Sequence, residues 1–366
     1  MVRSSTVARG LFPATLVAAL GACDLVLGIP DRTVGPHLSC ADGECVCTGG
    51  YFDCDDDPKN GCETSPESDP KHCGACGHEC LGGDCVEGRC APFELLTFGY
   101  PQAISVSGDK IYVTLCGMDP PVLEVPITGG SARPLVLNPD CGLYQSNTGE
   151  VLFWSNGGTI FASSLSVVGP PKEVIATGAP LHGIAAGGAH LYWAIWDKDA
   201  MTGGVFRMAL PQGAPSQIAN LQPRSLAVDA ERAYWSDAAG LHAVAHEAGT
   251  IVDLPGGADL GAIRVSGDTL YAMDNALEAP GIIAVPLAGG APSMVAPGAA
   301  TFGFGVDGGT LYWLDYLDGN VWEQRLAGGA KRLLAEGHGY ATNSDVAFHE
   351  EAIYWLSDQS LYKMAR

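Results

Sequence analysis

Positive charge is scarce in this chain. Its 366 residues include 19 Lys and Arg against 41 Asp and Glu, a formal net charge of −22. No basic surface exists to displace the counterions of a phosphate backbone, which argues against nucleic acid as a partner. The acidity is that of a solvated surface. Long apolar runs are missing too: beyond the N-terminal segment no stretch is long enough for a transmembrane helix. Charged residues are only 16% of the chain and apolar ones 47%, which excludes a disordered polymer. There is no G-x-S-x-G elbow and no H-E-x-x-H pair. Gly303-Phe304-Gly305 and Gly187-Gly188 sit at strand ends and turns rather than before a helix, so they carry no phosphate-loop meaning. What the chain has in quantity is turn residues, 49 Gly and 24 Pro, placed between short apolar runs as in an all-β protein.

Residues 1–22 read as an export signal. Arg3 and Arg9 supply a positive start, and Leu11 to Leu20 is an apolar core too short to span a bilayer. The segment ends in Leu20-Gly21-Ala22-Cys23, which resembles the bacterial lipobox. That resemblance implies that Cys23 becomes the acylated N-terminus, held at a membrane of the cell envelope. Asp24 follows Cys23, a residue that in enterobacterial lipoproteins favours inner-membrane retention; for this chain both a periplasmic and a cell-surface position stay open. The alternative is an ordinary secretory signal with an incidental cysteine. Residues 23–39, with Pro30, Gly35 and Pro36, read as a short tether.

Residues 40–91 hold ten cysteines: Cys40, Cys45, Cys47, Cys54, Cys62, Cys73, Cys76, Cys80, Cys85 and Cys90. Few large apolar residues accompany them, so this segment needs covalent staples in place of a core. An even count in an exported chain predicts five disulfides, with connectivity left open. Cys73-Gly74-Ala75-Cys76 has zinc or thiol-exchange spacing, but an oxidising compartment favours structural bridges. Asp53, Asp55, Asp56 and Asp57 crowd around Cys54. Closely spaced carboxylates suit Ca²⁺, although the run lacks EF-hand spacing and a solvated acidic loop is the alternative. Cys45-Val46-Cys47-Thr48-Gly49-Gly50-Tyr51 resembles the end of an EGF-like module. Asn60-Gly61-Cys62-Glu63 and His72-Cys73-Gly74-Ala75-Cys76-Gly77 resemble Cys-rich modules of proteins secreted by myxobacteria, a resemblance that brings no activity with it.

Residues 92–366 repeat one unit seven times. The aromatic beats are Ile111-Tyr112-Val113, Leu152-Phe153-Trp154, Leu191-Tyr192-Trp193, Ala233-Tyr234-Trp235, Leu270-Tyr271-Ala272, Leu311-Tyr312-Trp313 and Ile353-Tyr354-Trp355. They lie about 40 residues apart, the period of one four-stranded propeller blade. Adjacent aromatics point to opposite faces of a strand, and only a blade packed on both faces buries both. The last unit stops at its third strand, Leu361 to Met364. Glu94-Leu95-Leu96-Thr97-Phe98-Gly99 parallels the fourth strand of the preceding unit, Arg332-Leu333-Leu334-Ala335-Glu336-Gly337. The expected fold is therefore an all-β, seven-bladed propeller whose last blade is completed by an N-terminal strand. Cys116 and Cys141 follow the second and fourth strands of the first blade, on one face, and are expected to form a disulfide.

Tyr234-Trp235-Ser236-Asp237 and Tyr312-Trp313-Leu314-Asp315 resemble the YWTD repeat of low-density-lipoprotein-receptor-type propellers. The resemblance implies a propeller; it brings no ligand surface, since those receptor domains have six blades. Loops leading into the innermost strands carry Gln102, His182, Arg224, Asn343 and Asp345 as possible ligands at the channel mouth. These residues form no catalytic constellation. The expected function is a non-enzymatic one, an anchored propeller that shows its loop face to a protein or glycan. The alternative is a metal-dependent, lactonase-like hydrolase or lyase with a site at the channel mouth. A third reading makes the propeller a spacer for a binding Cys-rich module.

Overall fold

Short runs of β-branched and aromatic residues, broken by Gly-rich turns, leave the chain only hairpins to form. The computed structural model describes residues 35–41, 44–57, 59–117, 122–136, 142–167, 169–247, 249–275, 280–338, 346–357 and 359–366. Cys23, Cys141, Asn343 and Asp345 fall outside the described residues. Every regular element among the described residues is a strand, arranged as seven four-stranded sheets and two small two-stranded ones.

The first blade shows the plan. Pro101–Ser107, Lys110–Leu115, Val122–Pro126 and Arg133–Val136 pair antiparallel in sequence order. Its third turn uses Gly129 and Gly130 at φ of 83° and 110°, a region that costs glycine nothing for want of a Cβ. The innermost strands of successive blades lie side by side around a channel: Pro101–Ser107, Gly142–Asn147, Leu181–Gly187, Ser225–Val228, Leu260–Ser266, Phe304–Asp307 and Val346–His349. The seventh lies beside the first, so the ring is closed. Closure comes from the strand expected to supply it. Phe93–Thr97 pairs antiparallel with Ser360–Ala365 and completes the sheet of the last blade, with Leu96 opposite Leu361. The Ser360 hydroxyl donates to Glu94 Oε1 at 3.1 Å across the same seam.

Each aromatic pair is divided between two blade interfaces. Tyr234 packs on the fifth blade against Leu260, Ile263 and Ala272, whereas its neighbour Trp235 packs on the third against Tyr192, Val205 and Ala219. Tyr312 and Trp355 meet in the same way between the last two blades. Trp154, Trp193, Trp235, Trp313 and Trp355 are all buried. Burial pushes the phenols of Tyr112 and Tyr354 up to about 12. The aromatic stripe is core, as the opposed directions of adjacent side chains require.

Polar side chains stitch the innermost strands together. The Ser146 hydroxyl accepts from the Ala186 N–H at 3.0 Å, and the Ser225 hydroxyl accepts from the Ile263 N–H at 3.2 Å. The Ser105 hydroxyl donates to Gln145 Oε1 at 3.3 Å, and the Gln145 amide donates to the Tyr112 carbonyl, on the second strand of the first blade, at 2.9 Å. Parallel neighbours in a ring share no continuous ladder, so these bonds satisfy groups that would otherwise be stranded.

Ahead of the propeller lies the disulfide-rich module. Its bridges are Cys40–Cys45, Cys47–Cys62, Cys54–Cys76, Cys73–Cys85 and Cys80–Cys90. Both cysteines of the C-x-x-C are consumed, each with a different partner. The bridged core of the module rests on the end of the last propeller strand, where Cys73, Cys80, Cys85 and Cys90 cluster with Ala365. His78 joins the two parts, with Nδ1 2.6 Å from the Cys73 carbonyl and Nε2 3.2 Å from the Arg366 carbonyl. Cys116 is disulfide-bonded; its expected partner, Cys141, is one of the residues not described.

Candidate functional site

Register faults place side chains at one mouth of the channel. In the first blade the pairing shifts between Pro101 and Ala103, and Gln102 is the extra residue. The third blade shifts between Leu181 and Gly183, and His182 is extra. Matching irregularities occur at Leu143-Tyr144 in the second blade and at Gly261-Ala262 in the fifth. A β-bulge turns a strand locally and re-aims the residue it inserts. Four blades thus carry a bulge at the same level of the innermost strand. The fourth blade has none there; Arg224 directly precedes its inner strand, with its N–H bonded to the Ser236 carbonyl at 2.8 Å.

Together these residues line one cavity of about 430 Å³, within the range of ligand pockets. Gln102, His182 and Arg224, expected at the channel mouth from their positions before the inner strands, all contribute to it. Sequence reasoning missed Tyr144, Gln145, Arg264, Asn275 and Phe302, which line it as well. Arg264 lies inside a strand and Asn275 at the far end of the next one, where no turn or motif marks them. Gly261 leaves room for Asn275, since a Cβ there would come within 2.9 Å of the Asn275 amide nitrogen. Phe302 and Tyr316 are separated in sequence but stacked, with centroids 4.7 Å apart.

The described lining of the cavity includes Arg224, Arg264 and His182 and not one Asp or Glu. Arg224 is ion-paired with Asp259 on the rim, and its Nη1 also lies 3.5 Å from the Leu260 carbonyl. Arg264 donates to the Ile263 carbonyl at 2.9 Å. Asn275 donates to the Asp259 carbonyl at 3.1 Å, which holds the rim loop against the end of the next strand. The His182 imidazole makes no hydrogen bond among the described residues. Burial pushes the Tyr144 phenol above its ordinary value. The rim is apolar on one side, where Phe302 is 59% exposed and stacks on Tyr316.

The acidic loop of the module is arranged differently from the expected Asp53, Asp55, Asp56 and Asp57 set. Asp53 and Asp55 converge with Glu63, their carboxylate oxygens within 4.8 Å of one another. Asp56 has φ of 59°, Asp57 accepts the Lys59 N–H, and neither joins this group. The Asp57 N–H holds the Asp55 carboxyl below its ordinary value, helped by the Asn60 amide. Glu63 Oε1 accepts from the Cys54 N–H and the Thr64 hydroxyl. Asp53 Oδ1 alone is buried without a partner among the described residues. Hard oxygen donors are the right chemistry for Ca²⁺, but half of these carboxylate oxygens already serve local hydrogen bonds, and the ion takes roughly six to eight. The other close groups, Cys54, His72 and Cys76, and Cys73, Cys80 and Cys90, offer no thiolate because each sulfur is in a disulfide.

Fold and site together define a closed seven-bladed β-propeller with a polar cavity on its loop face. No protein-family model matches the chain, and no curated protein matches it. Among solved structures, the β-propeller domain of Myceliophteria thermophila Cps50 (Swd1) aligns with a TM-score of 0.57 at 11% identity, covering 75% of this chain and 98% of that one. The WD40 β-propeller domain of Doa1 aligns at 0.56 and 10%, covering 75% and 98%. The computationally designed protein Ika8 aligns at 0.55 and 12%, covering 78% and 89%. Such likenesses show the fold alone.

Proposed function

We propose that this chain is an exported bacterial binding protein, anchored by lipid at Cys23, that presents the channel-mouth face of its propeller to a protein or glycan. Five disulfides suit an oxidising compartment outside the cytoplasm. The observation that carries the reading is the cavity itself. Bulges aim polar side chains into it and an exposed aromatic pair flanks it, but its described lining has no carboxylate. The hydrolase or lyase alternative needs carboxylates converging on a metal or on a proton to be moved. Asp345, the carboxylate expected at the channel mouth, lies outside the described residues.

The test is binding by the exported chain, residues 24–366, to panels of glycans and proteins. Saturable binding is expected, with the ligand recovered unchanged. Phe302→Asp on the rim abolishes it, and Val46→Asp on the exposed surface of the module leaves it intact. Conversion of the ligand, or a loss that follows Val46→Asp instead, contradicts the reading.

A further inference from the structure

We infer that the loop face around the channel mouth docks a basic protein segment, one that sets an apolar side chain among lysines or arginines; this rests on the binding function proposed above and names its partner. The first observation is where apolar side chains are left in water. Among the described loops of the propeller, large apolar residues are exposed at Tyr100, Met201, Phe302, Tyr316 and Leu317. Each lies between a second and a third strand or just ahead of an innermost strand, which is the face of the channel mouth. The described loops of the opposite face expose only Val167, and the module rests on that side, where His78 meets the Arg366 carbonyl. Single exposed apolar residues are ordinary, but their grouping on one face marks an interaction surface. The second observation is that the anchors of the sixth blade are held in place before any partner arrives. Phe302 stacks on Tyr316, with Leu317 beside it in the chain. The buried Asp315 carboxylate accepts from the Leu317 N–H at 2.9 Å through one oxygen and from the Ala300 N–H at 3.2 Å through the other. The Tyr316 N–H donates to the Ala300 carbonyl at 2.9 Å, so the two loops are fixed to each other. Side chains ordered in advance lose little entropy on docking, as interface hot spots require.

The charge of these loops selects the partner. In their described residues Asp199, Asp237, Asp259, Asp315, Asp318 and Glu336 stand against Lys198 and Arg224. Both cations are already paired, Lys198 with Asp199 and Arg224 with Asp259. The intervening stretches outside the described residues, 118–121, 137–141, 276–279, 339–345 and 358, contain Asp119, Asp140, Glu278, Asp345 and Asp358 and no Lys or Arg, so they do not reverse the sign. Arg264 and His182 belong to inner strands and leave the loops themselves acidic. An acidic rim steers a cationic partner toward it and repels an acidic one. The opposite face is acidic as well, at Glu150 and Asp268 for example, but lacks the apolar anchors. Charge therefore draws the partner in, and the anchors choose the face. A neutral glycan can stack on Phe302 but makes no use of the acidic loops or of Leu317.

The experiment is calorimetric titration of the exported chain with a short Lys-rich peptide carrying Trp, the same peptide with Glu in place of every Lys, an oligolysine of equal charge without Trp, and neutral dextran. The Lys–Trp peptide is expected to bind about tenfold or more tightly than each of the others. Phe302→Ser and Leu317→Ser each weaken it about tenfold, and Val167→Ser on the opposite face leaves it unchanged. Asp199→Asn combined with Glu336→Gln weakens it by about two- to fivefold and flattens its salt dependence. Glu150→Gln combined with Asp268→Asn removes the same charge from the opposite face and does neither. That pair of double variants separates docking on the loop face from attraction to the total charge of −22. Equal binding of the Glu peptide or of oligolysine overturns the inference by showing that one property alone is read. Equal effects of the two double variants, or a loss with Val167→Ser, overturn it by placing the peptide elsewhere. Dextran bound as tightly as the Lys–Trp peptide overturns it in favour of a glycan and leaves the binding function standing. Failure of the Lys–Trp peptide to bind overturns it as well, whereas the broader binding function is judged by its own panel.

Discussion

Deleting residues 92–97 opens the ring and removes most of the stability of the propeller. Phe93–Thr97 is the outer strand of the last blade, yet it belongs to the opposite end of the chain. Its loss strips Leu95 and Leu96 from the seam between the last and first blades, where they pack with Ile104, Ile111, Leu356 and Leu361. A buried Leu truncated to Ala costs about 2–5 kcal/mol, so loss of the whole strand removes an amount comparable with the roughly 5–15 kcal/mol that holds a domain together. The deletion also bares the edge of Ser360–Ala365, and such an edge pairs with other chains. Urea unfolding followed by tryptophan fluorescence is expected to show a large fall in midpoint, with concentration-dependent association. The milder variant Leu95→Ala loses about 2–3 kcal/mol and stays folded. An unchanged midpoint for the deletion means that the ring is closed by some other means.

Trp355→Ala costs about 3–5 kcal/mol, the usual loss for a large aromatic removed from a core. Trp355 is fully buried between the last two blades, against Tyr312, Leu314, Ile353 and Met364. The phenylalanine variants then separate packing from hydrogen bonding. Among the described residues the indole N–H of Trp355 has no partner, whereas that of Trp154 donates to the Ser163 hydroxyl at 3.1 Å. Trp355→Phe keeps most of the ring and removes a stranded donor. Trp154→Phe leaves Ser163, itself buried, without that bond, at an additional cost of about 1–2 kcal/mol. Denaturant unfolding of the three variants is expected to rank Trp355→Phe mildest. A loss below about 1 kcal/mol for Trp355→Ala contradicts the inter-blade role of the aromatic stripe.

The architecture was legible because it repeats. A Tyr-Trp pair on one strand demands apolar contact on both faces, and seven beats, four of them Tyr-Trp pairs, with a displaced fourth strand leave little besides a closed propeller. The disulfide pairing was not legible, because spacing does not determine which sulfurs meet: Cys73 and Cys76 read as a unit but serve different bridges. The site was half legible. Gln102, His182 and Arg224 stand just where loops become inner strands, which marks the channel mouth. The bulges that aim Gln102 and His182 leave no signature in residue type. Arg264 and Asn275 reach the cavity from within and beyond a strand that reads as ordinary core. Phe302 and Tyr316 become one platform only when two loops meet. The acidic loop misled in detail, since chain proximity grouped Asp56 and Asp57 with Asp53, while folding brought Glu63 instead.

The claim at the centre of the account is that the loop face around the channel mouth is where a ligand is held. Hydrogen–deuterium exchange of the exported chain, with and without a ligand recovered from the glycan and protein panels, addresses it directly. The account predicts ligand-dependent protection centred on residues 101–103, 182–184, 224–226 and 301–302, with the module unchanged. Protection confined to residues 44–91 would contradict it and return the propeller to the role of a spacer.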